Sequence, residues 1–339
     1  KGSFKTLFQL HKLDAMRSVH KANSSFFKDS NVLQIFDRYA TYNGSNPYLA
    51  PATLNIIPHV EYNMGSFYIE QGIYRISESL TELAKHLGVN FHLDKEVTDI
   101  YHNKKIITGI GVDGERLPYD LVVSNSDVNF TYKNLLKDTK SSGAKKYAKL
   151  EPSSSAIVFH WGIKNIHSKL VAHNILFSKN YKHEFDELFA MKGCPDDPTV
   201  YIYVSNKFNK SDAPMGSENW FVMINAPYNN NHNWDEIIPH VRRTVIKKIE
   251  SILGISINEK IVFEHFISPA TIERDTRSYR GSIYGISSNN RSAAFLRQRV
   301  RSTTYKNLYF VGGSAHPGGG IPLVLLSGKI CAQLVNKFF

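Results

Sequence analysis

The sequence predicts an α/β protein of two interleaved domains, and three observations carry that expectation. The chain has 339 residues, more than a single hydrophobic core usually supports. Segments of helical periodicity alternate with short extended runs, with no internal repeat and no low-complexity linker. It closes on an apolar strand, a glycine-rich loop and a helix, an order that lets backbone approach a ligand.

The elements follow in sequence. Residues 4–28 read as one long helix, with Phe4, Leu7, Phe8, His11, Ala15, Val19, Ala22 and Phe26 at helical spacing. Lys5, Lys12, Arg17, Lys21 and Lys28 occupy its other faces, so it reads either as a domain helix with a solvated face or as a bilayer-binding one. A second helical region at 32–42 leads into the turn cluster Gly44, Ser45, Asn46 and Pro47. Residues 52–61 read helical and 66–70 extended; 75–87 form a helix stopped by Gly88, and 89–93 a short β-rich run. Extended segments follow at 97–101, 105–112 and 120–124. Strands at 156–161, 200–205 and 220–226 accompany helices near 183–191 and 237–253. The tail runs as strand 308–312, loop 313–320 and helix 322–337.

One motif is discounted. Gly-Ile-Gly-Val-Asp-Gly at 109–114 matches GxGxxG, but a dinucleotide fingerprint needs a strand before it and a helix after it. Asp113-Gly114 is a turn pair, so the stretch reads as an antiparallel hairpin over 105–123.

Composition bounds the function. Hydrophobic residues make up 42% and charged residues 21%, as in ordinary globular proteins. The 18 Tyr and 20 Phe, against five Met, suit an aromatic-lined interior, a rigid core or an apolar tunnel. The net charge of +11 fits an anionic membrane or cofactor; no recognition-helix, zinc-finger or RNP-like pattern points to nucleic acid. Two distant cysteines, Cys194 and Cys331, suit a reduced, cytosolic setting. No run approaches the ~20 apolar residues of a spanning helix, the best being 321–326. The chain opens Lys1-Gly2-Ser3 without Met or signal peptide, and the expectation is that it belongs to a longer polypeptide.

The informative segment is 307–322, Asn-Leu-Tyr-Phe-Val-Gly-Gly-Ser-Ala-His-Pro-Gly-Gly-Gly-Ile-Pro. Its glycines let backbone approach a ligand, and Pro322 suits a first helical position. Free N–H groups are expected at Leu323 and Val324, where a helix start favours an anion. The alternative is a structural glycine-rich turn capping a helix.

This segment resembles the closing motif of phytoene-desaturase-like enzymes, a branch of the flavin amine oxidase superfamily. Met-Gly-Ser-Phe-Tyr-Ile-Glu-Gln-Gly at 64–72, His-Leu-Asp-Lys-Glu-Val-Thr-Asp-Ile at 92–100 and Leu-Val-Val-Ser-Asn-Ser-Asp at 121–127 are similar to further segments of that family, in the right order. The stretch Arg-Tyr-Ala-Thr-Tyr-Asn-Gly-Ser-Asn-Pro-Tyr-Leu-Ala-Pro-Ala-Thr-Leu at 38–54 looks most like the subgroup that desaturates the 3,4 bond of 1-hydroxylated carotenoids.

The resemblance implies a two-domain FAD-dependent oxidoreductase fold. It consists of a Rossmann-like FAD domain lacking its first βαβ unit, plus a mixed-sheet substrate domain with helices. Residues 1–70 would be a helical region facing substrate and membrane, 71–130 and 286–339 parts of the FAD domain, and 131–285 the substrate domain. Val97 would meet the adenine of FAD; Gly312, Gly313 and Ser314 would pass the ribityl-pyrophosphate, and Gly320, Ile321, Pro322 and Leu323 the isoalloxazine. Two departures stand out: the strand–GxGxxG–helix is absent, and Ile69 and Gln71 replace the family's Pro and first Gly. With the first strand of the ADP-binding unit missing, Leu308 and Phe310 are expected to show a bare edge or an unfilled space.

Desaturation removes a hydride and a proton from adjacent carbons, so the protein need only position the chain and stabilise charge. Glu70 is the first candidate base, with a surface ion pair as the alternative; Arg17 is a second candidate. His316 reads as a hydrogen-bonder at the helix start. Tyr39, Tyr42, Tyr48 and Phe67 are expected to line an elongated apolar cavity for a carotenoid. No metal site and no Ser/His/Asp triad is supported. The enzyme is expected in the cytoplasm, peripheral to the inner face of the membrane. The competing readings are a phytoene or neurosporene desaturase and a non-catalytic prenyl-lipid escort.

Overall fold

The computed structural model describes residues 14–290 and 296–339. Its largest sheet has five strands: β5 (Ser155–Lys164), β6 (His173–Leu176), β7 (Val200–Val204), β8 (Ser217–Ala226) and β9 (Ile261–Ile267), in spatial order β6-β7-β8-β5-β9. Every pairing is antiparallel, so the sheet expected to be mixed is antiparallel throughout. Alternation gives it two faces. Ile157, Phe159, Trp161, Ile163, Val200, Ile202, Val222 and Ile224 form one core with Ile238, Val241, Val245, Ile249 and Leu253. Those five repeat at helical spacing along the helix Trp234–Leu253. On the opposite face His160, Gly162, Tyr203, Phe221 and Phe263 line a cavity of about 500 Å³.

Ahead of this sheet lie β1 (Val97–Asn103), β2 (Ile106–Val112) and β3 (Glu115–Pro118), an antiparallel meander. Asp113 and Gly114 turn it at φ 53° and 81°, as a tight hairpin requires. The glycines at 109–114 thus serve strand approach: a Cβ on Gly109 would lie 2.2 Å from the Leu117 carbonyl oxygen. The hairpin stops at Pro118, short of the expected 123. Residues 122 and 123 belong to β4 (Val122–Ser124), which pairs in parallel with β10 (Leu308–Phe310).

The expected bare edge on β10 is absent. Phe310 N–H donates to the Val300 carbonyl at 2.7 Å and Ser302 N–H to the Leu308 carbonyl at 2.9 Å, so a neighbouring segment covers that edge. The space lies instead beside β4, where a groove of about 300 Å³ is lined by Val97, Ile100, Val123 and Asn125. Other apolar surface is also uncovered among the described residues. The helix α3 (Tyr74–His86) buries no residue, and Val89, Phe91 and Leu93 are exposed and outside any strand.

The long helix expected over 4–28 is corrected where it is described. Residues 14–18 form a turn with Asp14 at φ 47°, and α1 (Val19–Phe26) begins at Ser18, whose hydroxyl accepts from the Lys21 N–H. The first half of the expected helix, through residue 13, lies outside the described residues. The next helix, α2 (Ser30–Asp37), is tied to α1 by buried Asp37, which accepts from His20 Nδ1 at 2.6 Å and Asn23 Nδ2 at 2.9 Å. Burial raises the Asp37 carboxyl. A 3-10 turn, Arg38–Asn43, follows and ends on Gly44 at φ 58°.

The C-terminal helix, Ile321–Phe338, lies within a residue of the expected bounds at each end, but it corrects the expectation that no run approaches a spanning helix. By length and composition alone it is apolar enough to cross a membrane, because Lys329 and Gln333 interrupt the run of apolar residues without ending the helix. Only Ser327 and Cys331 of it are buried.

Candidate functional site

The glycine loop leaves β10 beside the end of β4, where loops after parallel strands gather ligands. Gly312 opens it at φ 92°, and a Cβ there would lie 2.3 Å from Asn125 Oδ1. Its N–H donates to Ser327 Oγ at 2.9 Å, fixing the strand end to the C-terminal helix. Ser314 Oγ accepts from the Val128 N–H at 3.1 Å. His316 N–H donates to the Gln298 carbonyl at 2.8 Å, so its backbone anchors the loop ahead of the helix. Gly320 holds φ 97° with nothing within 4 Å of a would-be Cβ, so the loop is open there. The N–H groups of Leu323 and Val324 are not free: both donate to the Gly320 carbonyl, at 3.0 and 2.9 Å. This corrects the expectation of two open donors, and it follows from Gly320 acting as the N-cap.

Arg297 holds the loop from beneath. It is 3% exposed and donates to the carbonyls of Tyr284 (2.9 Å), Ile286 (2.9 Å) and Gly313 (3.1 Å), and at 3.4 Å to Asn43 Oδ1. Burial lowers its guanidinium to about 10. No carboxylate pairs with it among the described residues, so the charge is met by carbonyl dipoles and adds positive potential under the loop. The Tyr284 ring is wedged between Gly44 and Gly319, either of which would place a Cβ 2.8 Å from it.

The expected site residues are brought together in part. Val97 shares the groove beside β4 with Asn125, and Asn125 touches Gly312, so Val97 and the start of the glycine loop flank one open trough. A flat cofactor fits these residues: the trough is open, Asn125 at its end abuts Gly312, and Gly320 leaves room beside the helix start. Tyr39 and Tyr42 stack at 5.5 Å, and the Tyr39 hydroxyl donates to Glu61 at 3.0 Å. Tyr48 packs elsewhere, against His20 and Phe185. Phe67 is 87% exposed. Glu70 is exposed in a turn, without an ion pair among the described residues. Arg17 is engaged by Asp14 at 2.6–3.0 Å and by Ser25 at 3.1 Å.

Sequence reasoning missed Arg297, Tyr284 and Asn125 as loop supports. Arg297 stands in the alternating basic run Arg297, Arg299, Arg301, which reads as a solvated strand. Only its burial distinguishes it.

Solved structures share this architecture. An oxidoreductase from Methanosarcina mazei superimposes with a TM-score of 0.65 at 16% identity, over 98% of this chain and 73% of its own. A redesigned putrescine oxidase does so at 0.60 and 11%, over 97% and 69%. The fold is therefore that of the two-domain FAD-dependent oxidoreductases. No family model matches the sequence. The 1-hydroxycarotenoid 3,4-desaturase of Flavobacterium sp. is 44% identical over 335 residues, 99% of this chain and 68% of that protein. The 4,4'-diaponeurosporene oxygenase of Staphylococcus haemolyticus is 33% identical over 97% of this chain and 66% of its own length. The 4,4'-diapolycopene oxygenase of Methylomonas sp. is 33% identical over 96% and 66%. The chain belongs to the phytoene-desaturase-like family of carotenoid desaturases, and it spans about two thirds of the length of these relatives.

Proposed function

We propose that this chain is the substrate-binding and flavin-facing part of an FAD-dependent carotenoid desaturase that acts on the 3,4 bond of a 1-hydroxylated carotenoid. The observation that carries this reading is the 44% identity to a 1-hydroxycarotenoid 3,4-desaturase over 99% of the chain. FAD would be held by Val97, Gly312, Gly313 and Ser314 and, at its flavin end, by Gly320, Ile321, Pro322 and Leu323, and it would supply a hydride acceptor. The protein's own residues do the rest. The outer sheet face with His160, Tyr203, Phe221 and Phe263 offers apolar surface that excludes water from a polyene. Tyr39 and Tyr42 extend the aromatic surface towards Tyr284. Glu70, whose carboxylate has no ion-pair partner among the described residues, is the group assigned to accept the proton.

The substrate reaches the protein from a bilayer, so we assign the chain to the cytoplasmic face of the membrane. The net charge of +11 and the exposed apolar side chains Leu325 and Leu326 support that placement.

The test uses the full-length protein. It should absorb near ~450 nm as a flavoprotein and convert a 1-hydroxylated carotenoid to a product lacking two hydrogens. A second reading is favoured by the oxygenase relatives, and product that gains oxygen would select it. Equal conversion of a plain polyene would select the phytoene- or neurosporene-type alternative. A colourless protein that only binds the polyene would select a lipid escort.

A further inference from the structure

Arg38 opens the 3-10 turn and is half-buried. Its guanidinium carbon lies 5.5 Å from the ring centroids of both Tyr42 and Tyr201, so one cation is framed by two aromatic faces from separate elements. Its one hydrogen bond within the described residues is to the Tyr42 hydroxyl at 3.5 Å, the outer limit of such a bond. It pairs with no carboxylate among those residues. A guanidinium carries five N–H donors, so most of its capacity is unspent. The Tyr201 hydroxyl, by contrast, is already bonded to His173 Nδ1 at 2.8 Å.

The cluster is connected to the glycine loop through Tyr284. Gly44 ends the turn that Arg38 begins, and the Tyr284 ring fills the gap between Gly44 and Gly319. Burial raises the Tyr284 hydroxyl's pKa, while Arg38 is near enough to act on it in the opposite sense.

A plain polyene has no acceptor to offer these donors, and partly burying an unpaired guanidinium costs free energy. A substrate bearing a terminal hydroxyl supplies the missing acceptor. Geometry adds a second requirement: in a 1-hydroxylated chain the oxygen is only three bonds from carbon 3, roughly 4 Å away. A group that holds the oxygen must therefore sit near the place where the 3,4 bond is oxidised, and Arg38 is linked to the loop through the Tyr284 ring.

We propose that Arg38, framed by Tyr42 and Tyr201, binds the terminal oxygen of the carotenoid and so sets which bond lies over the glycine loop. This rests on reading the chain as a carotenoid desaturase. The oxygen sits in the plane of the guanidinium, with the tyrosine rings restricting its approach, and the polyene runs away along the outer sheet face.

The experiment compares the full-length flavoenzyme with its Arg38→Met, Arg38→Lys and Tyr42→Phe variants on a 1-hydroxylated carotenoid and on its plain counterpart. For Arg38→Met, kcat/KM on the hydroxylated substrate should fall about 10- to 100-fold, mostly through KM, as expected for a lost charged hydrogen bond. Activity on the plain substrate should change by less than about twofold, and flavin absorbance should be retained. Arg38→Lys should recover part of the loss and Tyr42→Phe should show a smaller loss of the same kind. If Arg38→Met fails to retain flavin, the same discrimination between substrates is read from the two milder variants. Equal losses on both substrates, or none on either, would overturn the assignment of Arg38 while leaving the desaturase reading intact. A wild-type enzyme that desaturates neither substrate would overturn both.

Discussion

Glu218 is 1% exposed at one end of the sheet core. It accepts from Lys207 Nζ at 2.7 Å, from the His167 N–H at 3.1 Å, from His167 Nδ1 at 2.9 Å and from Trp220 Nε1 at 2.9 Å. Burial alone pushes its carboxyl up, but these bonds outweigh burial and hold it below the ordinary 4.5. A lowered carboxylate stabilises the fold fully above its unfolded pKa, and that contribution fades as pH falls through the folded value. Glu218→Gln should therefore cost about 3 kcal/mol at neutral pH, the scale of a broken buried pair. In urea unfolding the gap to wild type should narrow below pH 4.5; a gap that stays constant down to acid pH would mean that charge is not what Glu218 contributes. Gly312 makes a different kind of demand. Gly312→Ala combines a left-handed φ with a Cβ 2.3 Å from Asn125 Oδ1, so melting temperature and flavin per polypeptide should both drop. An alanine variant with wild-type flavin content would show that the loop relaxes freely.

At the scale of elements, what the sequence disclosed depended on how local the signal was. The Asp113-Gly114 turn, the stop at Gly88, and the strand, loop and helix at the end of the chain are written in neighbouring residues, and they stand where expected. The break before α1 is local too, since Ser18 caps the helix, but the apolar spacing runs straight through it and masks the cap. Non-local facts were not legible. Residues 122 and 123 look like the end of a hairpin, yet they pair with residues 308 and 309, nearly 200 positions away. Strands β6 and β9 sit at the sheet edges, where burial does not impose strict alternation. Of the candidate site, the glycines were readable because φ and close approach demand them. Arg38 was inside a quoted motif, but its free donors appear only once Tyr201 is folded against it. Helix α3 shows the remaining gap: its boundaries were read within a residue, but its Leu80 and Leu83 stay exposed and no residue of it is buried among the described residues. A 13-residue helix without tertiary packing is marginal in water. Its amides should exchange within seconds in residues 1–339 alone. They should be strongly protected in a polypeptide of the relatives' full length; slow exchange in the shorter chain would show that α3 is stable by itself.

For the whole molecule, the uncovered apolar surface is extensive. The antiparallel sheet and its helix bury their shared core, and β10 is fully buried with its edge covered. Exposed apolar residues are widespread and include a run over 56–73, α3, residues 87–93, Val123 beside the trough, Val262, Phe263 and Phe266 of β9, and the C-terminal helix. Monomeric soluble proteins rarely expose contiguous apolar patches beyond a few hundred Å². The second edge of β4 pairs with no strand among the described residues, a template for association with another chain. Two outcomes follow for residues 1–339 prepared alone. The chain should self-associate in light scattering at micromolar concentration, and detergent or anionic vesicles should disperse it, because lipid covers apolar surface while the +11 charge favours the anionic headgroups. Neutral vesicles should disperse it less, and high salt should narrow the difference between the two lipids. A chain that stays monomeric without detergent and binds neither kind of vesicle would mean that these faces are satisfied within the chain, and that the membrane assignment lacks its physical basis.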